Sequence, residues 1–150
     1  MAVVGAALVG LSVIPVPYLA SPAWDVSVVD DTGRPVQGVT VRLSYQNYSA
    51  ERHPHEDDRI TNERGLATFP SRELAASILE RCYYTGLSAA AGVHASFGRH
   101  ASVFAFGHGL EGFATSGQFV TDWTGSPEHM DSRIELKPAN LAPAGINIVR

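Results

Sequence analysis

At 150 residues, with 45% apolar and 17% charged side chains, the chain has the size and composition of one globular domain with a real core. A net charge of −4 and only 11 scattered Lys and Arg exclude a basic nucleic-acid surface. The single cysteine, Cys82, excludes an internal disulfide, so stability must come from packing.

Residues 1–23 carry no charged side chain. An apolar run from Ala2 to Ile14 is followed by Pro15, Pro17 and small residues up to Ala23, the pattern of a secretory signal cleaved after Ala23. Two other readings stay open. One is a retained membrane anchor, against which Pro15 and Pro17 break the run short of the roughly 20 residues a span needs. The other is an extra apolar strand of the domain. The expected organisation is a leader over 1–23, a β-sandwich over 24–138 and a tail over 139–150, in an exported protein.

From Trp24 the pattern changes. Trp24, Val26 and Val28 alternate with Asp25 and Ser27; Val39, Val41, Leu43 and Tyr45 alternate with Thr40, Arg42, Ser44 and Gln46. Period two with one apolar face predicts half-buried antiparallel strands. Asp30 to Gly38 between them holds turn chemistry, with Gly33 and with Pro35 fixing φ. Asn47 to Arg59 reads as a polar loop, within which Asn47-Tyr48-Ser49 matches a glycosylation sequon. Arg59 to Pro70 gives a short strand, a turn at Asn62 to Gly65, and Leu66 to Phe69 as the next strand.

Ser71 after Pro70, Glu73 in a first turn, and Leu74, Ala75, Ile78, Leu79 and Cys82 at helical spacing predict one amphipathic helix over 72–83, with Gly86 beyond its end. Such a helix would plug the sandwich, and Cys82 on its stripe reads as a buried small residue. Val93, Ala95 and Phe97 then predict a strand, Gly98-Arg99-His100 a turn, and Ala101 to Phe106 the returning strand. Phe119 to Trp123 and Arg133 to Lys137 alternate again, and Pro138 ends the last of these. The tail carries a short apolar patch, Ile146 to Val149.

Several motifs carry a resemblance. Val28-Val29-Asp30, Gly33-Arg34-Pro35-Val36, Gly38-Val39, Val41 and Leu43, then Thr61-Asn62-Glu63-Arg64-Gly65 and Phe69, resemble a carboxypeptidase regulatory-like domain. The match is close over roughly residues 24 to 70 and loose over 93 to 138. It implies an all-β fold: an antiparallel Greek-key sandwich of the transthyretin-like (prealbumin-like) kind, here with one short inserted helix. It also implies protein or carbohydrate contact at the cell envelope, through a sheet edge or the loops Ser49 to Asp58 and Gly107 to Ser116.

Catalytic motifs are missing. The chain has no G-x-S-x-G elbow, no H-E-x-x-H and no glycine-rich phosphate loop. Two enzyme groups share the fold that the resemblance implies. Hydroxyisourate hydrolases carry a terminal Y-R-G-S, where this chain reads Ile148-Val149-Arg150. Intradiol dioxygenases hold iron with two Tyr and two His, where this chain offers Tyr83 and Tyr84 on the expected helix and a lone Gly98-Arg99-His100. His94 and His100 would flank one turn.

The densest ligand cluster is His53, His55, Glu56, Asp57 and Asp58, good donors for zinc or similar ions. The same cluster also reads as a solvated loop tip, since Pro54 excludes a helical His pair. No catalytic, cofactor or metal residue is assigned. The expectation is a non-catalytic module that binds protein or carbohydrate, touching a membrane only through an uncleaved leader. A metal protein built on the His53–Asp58 loop and a structural spacer or oligomer subunit are the alternatives.

Overall fold

The computed structural model describes residues 12–116 and 119–139. The strands are β1 (Val16–Ser21), β2 (Ala23–Val29), β3 (Thr40–Asn47), β4 (His55–Ile60), β5 (Leu66–Phe69), β6 (Arg72–Ala76), β7 (Arg99–Gly107), β8 (Leu110–Phe113), β9 (Thr115–Ser116), β10 (Phe119–Val120), β11 (His129–Glu135) and β12 (Lys137–Pro138). One α-helix, α1 (Ile78–Ala90), lies between β6 and β7. A five-stranded sheet in the order β12-β8-β7-β3-β4 faces a three-stranded sheet in the order β11-β2-β5. The pairs β1-β6 and β9-β10 complete the described strands. Over the described residues this is an all-β sandwich with one short helix between its strands. Of the described pairs, β2 with β11 is parallel and the others are antiparallel.

The alternating residues form the core. Trp24, Val28, Val41, Leu43, Phe69, Val103 and Ile134 have no exposed surface. Burying each such side chain contributes about 1.5–3 kcal/mol before entropy is counted. The two buried indoles satisfy their N–H groups: Trp24 Nε1 donates to Ser132 Oγ at 3.0 Å and Trp123 Nε1 to the Pro127 carbonyl at 2.6 Å.

The two turn motifs interlock. Asp30 Oδ1 accepts from the backbone N–H of Thr32 and of Arg34, both at 2.9 Å, and from Thr32 Oγ1 at 2.6 Å. The Thr32 hydroxyl and the Arg34 amide hold its carboxyl down at a pKa of about 2. Buried Thr61 accepts from Val39 N at 3.1 Å and donates to the Val36 carbonyl at 2.8 Å. Gly65 has φ +70°, and a Cβ there would sit 2.5 Å from the Val28 carbonyl oxygen. The T-N-E-R-G motif is therefore the floor under the Pro35 turn, and its glycine is required by both conformation and space.

Several local expectations are corrected. The helix is not over 72–83: Arg72–Ala76 is β6, paired with β1, and α1 follows it. Ser77, not Ser71, is the N-cap, in a reciprocal capping box with Glu80, whose carboxyl that contact lowers. Gly86 lies inside the helix. No residue of α1 is buried, so it does not plug the sandwich, and Cys82 is exposed.

Val93 to Phe97 is not a strand. Gly92–His94 forms a 3-10 turn, and the hairpin is β7–β8 through His108 and Gly109. The polar loop after β3 ends at Pro54, because His55–Ile60 pairs with β3 as an edge strand. Within the leader reading, residues 1–11 lie outside the described residues, whereas Val16–Ser21 forms β1, with Ala20 and Ser21 buried. The apolar patch Ile146 to Val149 also lies outside them.

Candidate binding face on the five-stranded sheet

On β7, Ala101, Val103 and Ala105 point into the core, each at most 2% exposed. The alternate residues, His100, Ser102, Phe104 and Phe106, therefore point outward. Register sets the neighbours: Arg42 of β3, Phe104 and Phe113 of β8 form one cross-strand row, and Thr40, Phe106 and Glu111 the next. The Phe104 ring lies 5.7 Å from the rings of both Phe106 and Phe113, at 29° to each. These are offset stacks with the geometry aromatic pairs prefer. Phe113 keeps 52% of its surface in water.

Charge flanks the rings. The Arg42 guanidinium sits 5.5 Å from the Phe106 centroid and pairs with Glu56 and Asp58 of β4, each at 2.8 Å. Its hydrogen bond to Asp58 lowers that carboxyl and raises the guanidinium. These pairs are exposed, so they add little stability, but they fix Arg42 beside the rings.

Toward the β3–β4 loop the same face opens into a cleft of about 380 Å³ lined by Ser44, Gln46, Tyr48, His100, Ser102 and Asp122. His100 is held on both sides: Nδ1 is 3.0 Å from Asp122 Oδ2 and Nε2 is 3.0 Å from the Phe97 carbonyl oxygen. The Tyr48 ring meets the imidazole edge-on at 5.3 Å. An Asp–His pair near Ser102 suggests a nucleophile relay, but the nitrogen that would take a proton from the serine already faces Phe97. What the cleft offers is a row of hydroxyl, amide and carboxylate groups beside an aromatic platform. A second cleft, of about 730 Å³, runs between β1 and α1 past Tyr18, Ile78 and Arg81. There the Tyr18 hydroxyl is pushed up by burial and by its hydrogen bond to Glu51, and the Arg81 guanidinium lies over the Tyr18 ring at 5.0 Å from its centroid.

The residues singled out in the sequence are scattered. Strand alternation sends Glu56 and Asp58 to the outer face with Arg42, and His55 and Asp57 to the other side of β4. His55 stacks on Tyr45 at 5.2 Å and contacts Glu51, while Asp57 pairs with Arg72 and Arg59. No common centre forms from this set. Asn47 is 5% exposed and accepts from Ser49 N, so the asparagine of the sequon is buried. Tyr83 and Tyr84 stand edge-on to each other on α1, and His94 sits in the 3-10 turn, apart from the strand that carries His100. The Gly107 to Ser116 loop is the β7–β8 hairpin plus β9, and it supplies Phe113 to the face. The phenylalanine platform itself was missed. Its signal is the run Ala101-Ser102-Val103-Phe104-Ala105-Phe106, in which the larger apolar residues share the parity of His100 and Ser102.

No family model and no curated protein matches the chain. Among solved structures, 3-chlorocatechol 1,2-dioxygenase from Rhodococcus opacus 1CP is similar at 16% identity with a TM-score of 0.42, covering 90% of this chain and 76% of that one.

Proposed function

We propose that the protein is a non-catalytic, exported β-sandwich module that binds a neutral glycan across the outer face of its five-stranded sheet. The observation that carries this reading is the stacked Phe104, Phe106 and Phe113 platform, partly open to water beside a cleft of hydrogen-bonding side chains. Sugar rings present C–H faces that suit flat aromatic rings, and a rim of hydroxyls that suits Ser102, Gln46 and Asp122. Rigid strands hold these groups, which lowers the entropy lost on binding. Glu56, Asp58, Glu111 and Asp122 around the face repel an anionic polymer, which favours a neutral one.

Two observations support a binding rather than a catalytic role. His100 has both ring nitrogens engaged, and the β4 acids Glu56, Asp57 and Asp58 are matched by arginines. The resemblance of the Asp30–Leu43 and Thr61–Phe69 motifs to carboxypeptidase regulatory-like domains supports an accessory role, and the apolar opening of the chain supports export.

Electrophoresis through gels carrying a panel of neutral polysaccharides tests the proposal. At least one polysaccharide should retard the wild type, and Phe113→Ala and Asp122→Ala should both run free of it. No retardation by any of them, or retardation unchanged in both variants, overturns it.

A further inference from the structure

On the opposite side of the sandwich, the outer face of the three-stranded sheet brings together Asp25, His129 and Asp131. We propose that these residues form a binding site for a divalent transition-metal ion of the zinc class. Their donor atoms, one imidazole nitrogen and two carboxylate oxygens, lie within 4.8 Å of one another. His129 Nε2 is 3.5 Å from Asp25 Oδ2 and 3.5 Å from Asp131 Oδ2. That spacing exceeds the roughly 2.7–2.9 Å of a charge-assisted hydrogen bond, so the ring points between the carboxylates rather than at one of them. It instead equals, within about 0.2 Å, the edge of a tetrahedron with metal–ligand bonds of about 2.0–2.1 Å, the zinc values for histidine and carboxylate.

The strands fix the set. Asp131 and Asp25 are direct partners in the parallel β11–β2 ladder, and His129 lies two residues from Asp131 on the same face. Two carboxylates placed opposite each other repel, and a cation between them removes that cost. Among the described residues, Asp25 and Asp131 form ion pairs with His129 and with no Lys or Arg. One nitrogen with two oxygens selects zinc, copper or nickel over calcium and magnesium, which prefer all-oxygen shells. Three protein ligands leave a fourth position for water or a donor from a partner. An ion there ties the first long strand of the sandwich to the last, so it stabilises the folded chain by mass action.

The test is calorimetric titration of the full chain with zinc chloride, in a Cys82→Ser background because that thiol is exposed and is itself a zinc ligand. The expected result is one zinc per chain, a raised melting temperature, and no displacement by excess magnesium. His129→Gln and Asp131→Asn should each weaken binding at least tenfold and abolish the thermal shift. Asp131 is 81% exposed at its side chain and faces Asp25, so Asp131→Asn should not lower metal-free melting, and a lost thermal shift then reports binding rather than a damaged fold. A His53→Ala/His55→Ala double variant should bind as the parent does. No saturable binding below ~1 mM, or binding that survives both His129→Gln and Asp131→Asn, overturns the proposal.

Discussion

Strand β7 has two faces that follow opposite rules. Inside, it is thin: Ala101, Val103 and Ala105 sit against a cluster whose bulk comes from Trp24, Phe69 and Trp123. Large residues opposite small ones fill the space between sheets at native density. Outside, the same strand carries Phe104 and Phe106, which the core does not use. In a fold stabilised by packing, the apolar side chains that the interior has no room for and no need of are the ones free to meet a ligand.

The largest expected effect is on the inner face. Leu43→Ala, fully buried beside β7, should destabilise the domain by about 2–5 kcal/mol in a denaturant titration, with the spread set by how far the cavity collapses. Phe113→Ala, on the outer face, should cost well under half as much while abolishing glycan retardation. Equal losses at the two positions would erase the distinction between the faces. Next is the turn floor. Gly65→Ala forces a side chain into a left-handed backbone and against the Val28 carbonyl, at a cost of about 1–3 kcal/mol from backbone strain, seen as a lowered denaturation midpoint.

A smaller effect belongs to the helix. Ser77→Ala removes the capping box and should weaken α1 by about 0.5–2 kcal/mol. Because no residue of α1 is buried, the helical circular-dichroism signal should fall while the sandwich unfolds at an unchanged midpoint. The smallest is at Asp30. Its folded pKa of about 2 lies below the ordinary 3.8, so its contribution is complete above about pH 4 and is lost as pH falls toward 2. Asp30→Asn should therefore lower stability slightly at neutral pH, and the difference from wild type should shrink as pH falls toward 2, which flattens the acid limb of the stability–pH curve.

Much of the sandwich is legible in the sequence because its central strands are half-buried. Trp24 to Val28 and Val39 to Tyr45 alternate, and both lie where the alternation places them. The Asp30 and Thr61 motifs are legible because turn chemistry is local. The failures have physical causes. β4 reads His-Glu-Asp-Asp-Arg-Ile, an edge strand whose charges protect it from pairing with other chains and hide its period. β6 is short and alanine-rich, so helical spacing borrowed its residues. The start of the helix is encoded in Ser77-Ile78-Leu79-Glu80, a capping box that competes in the sequence with the equally plausible cap at Ser71. Val93 to Phe97 alternates without a partner strand, and Gly92 at φ +61° opens a turn there instead. The candidate face is hard to read because its residues come from β3, β4, β7 and β8 and meet only through register.

The most direct test of the two-faced strand is one pair of curves on the double variant Phe104→Ser/Phe113→Ser: a denaturation profile, and electrophoretic mobility in the retarding polysaccharide. The account predicts a midpoint far closer to wild type than that of Leu43→Ala, with retardation gone. A midpoint that falls as far as that of Leu43→Ala, or retardation that persists, would contradict it.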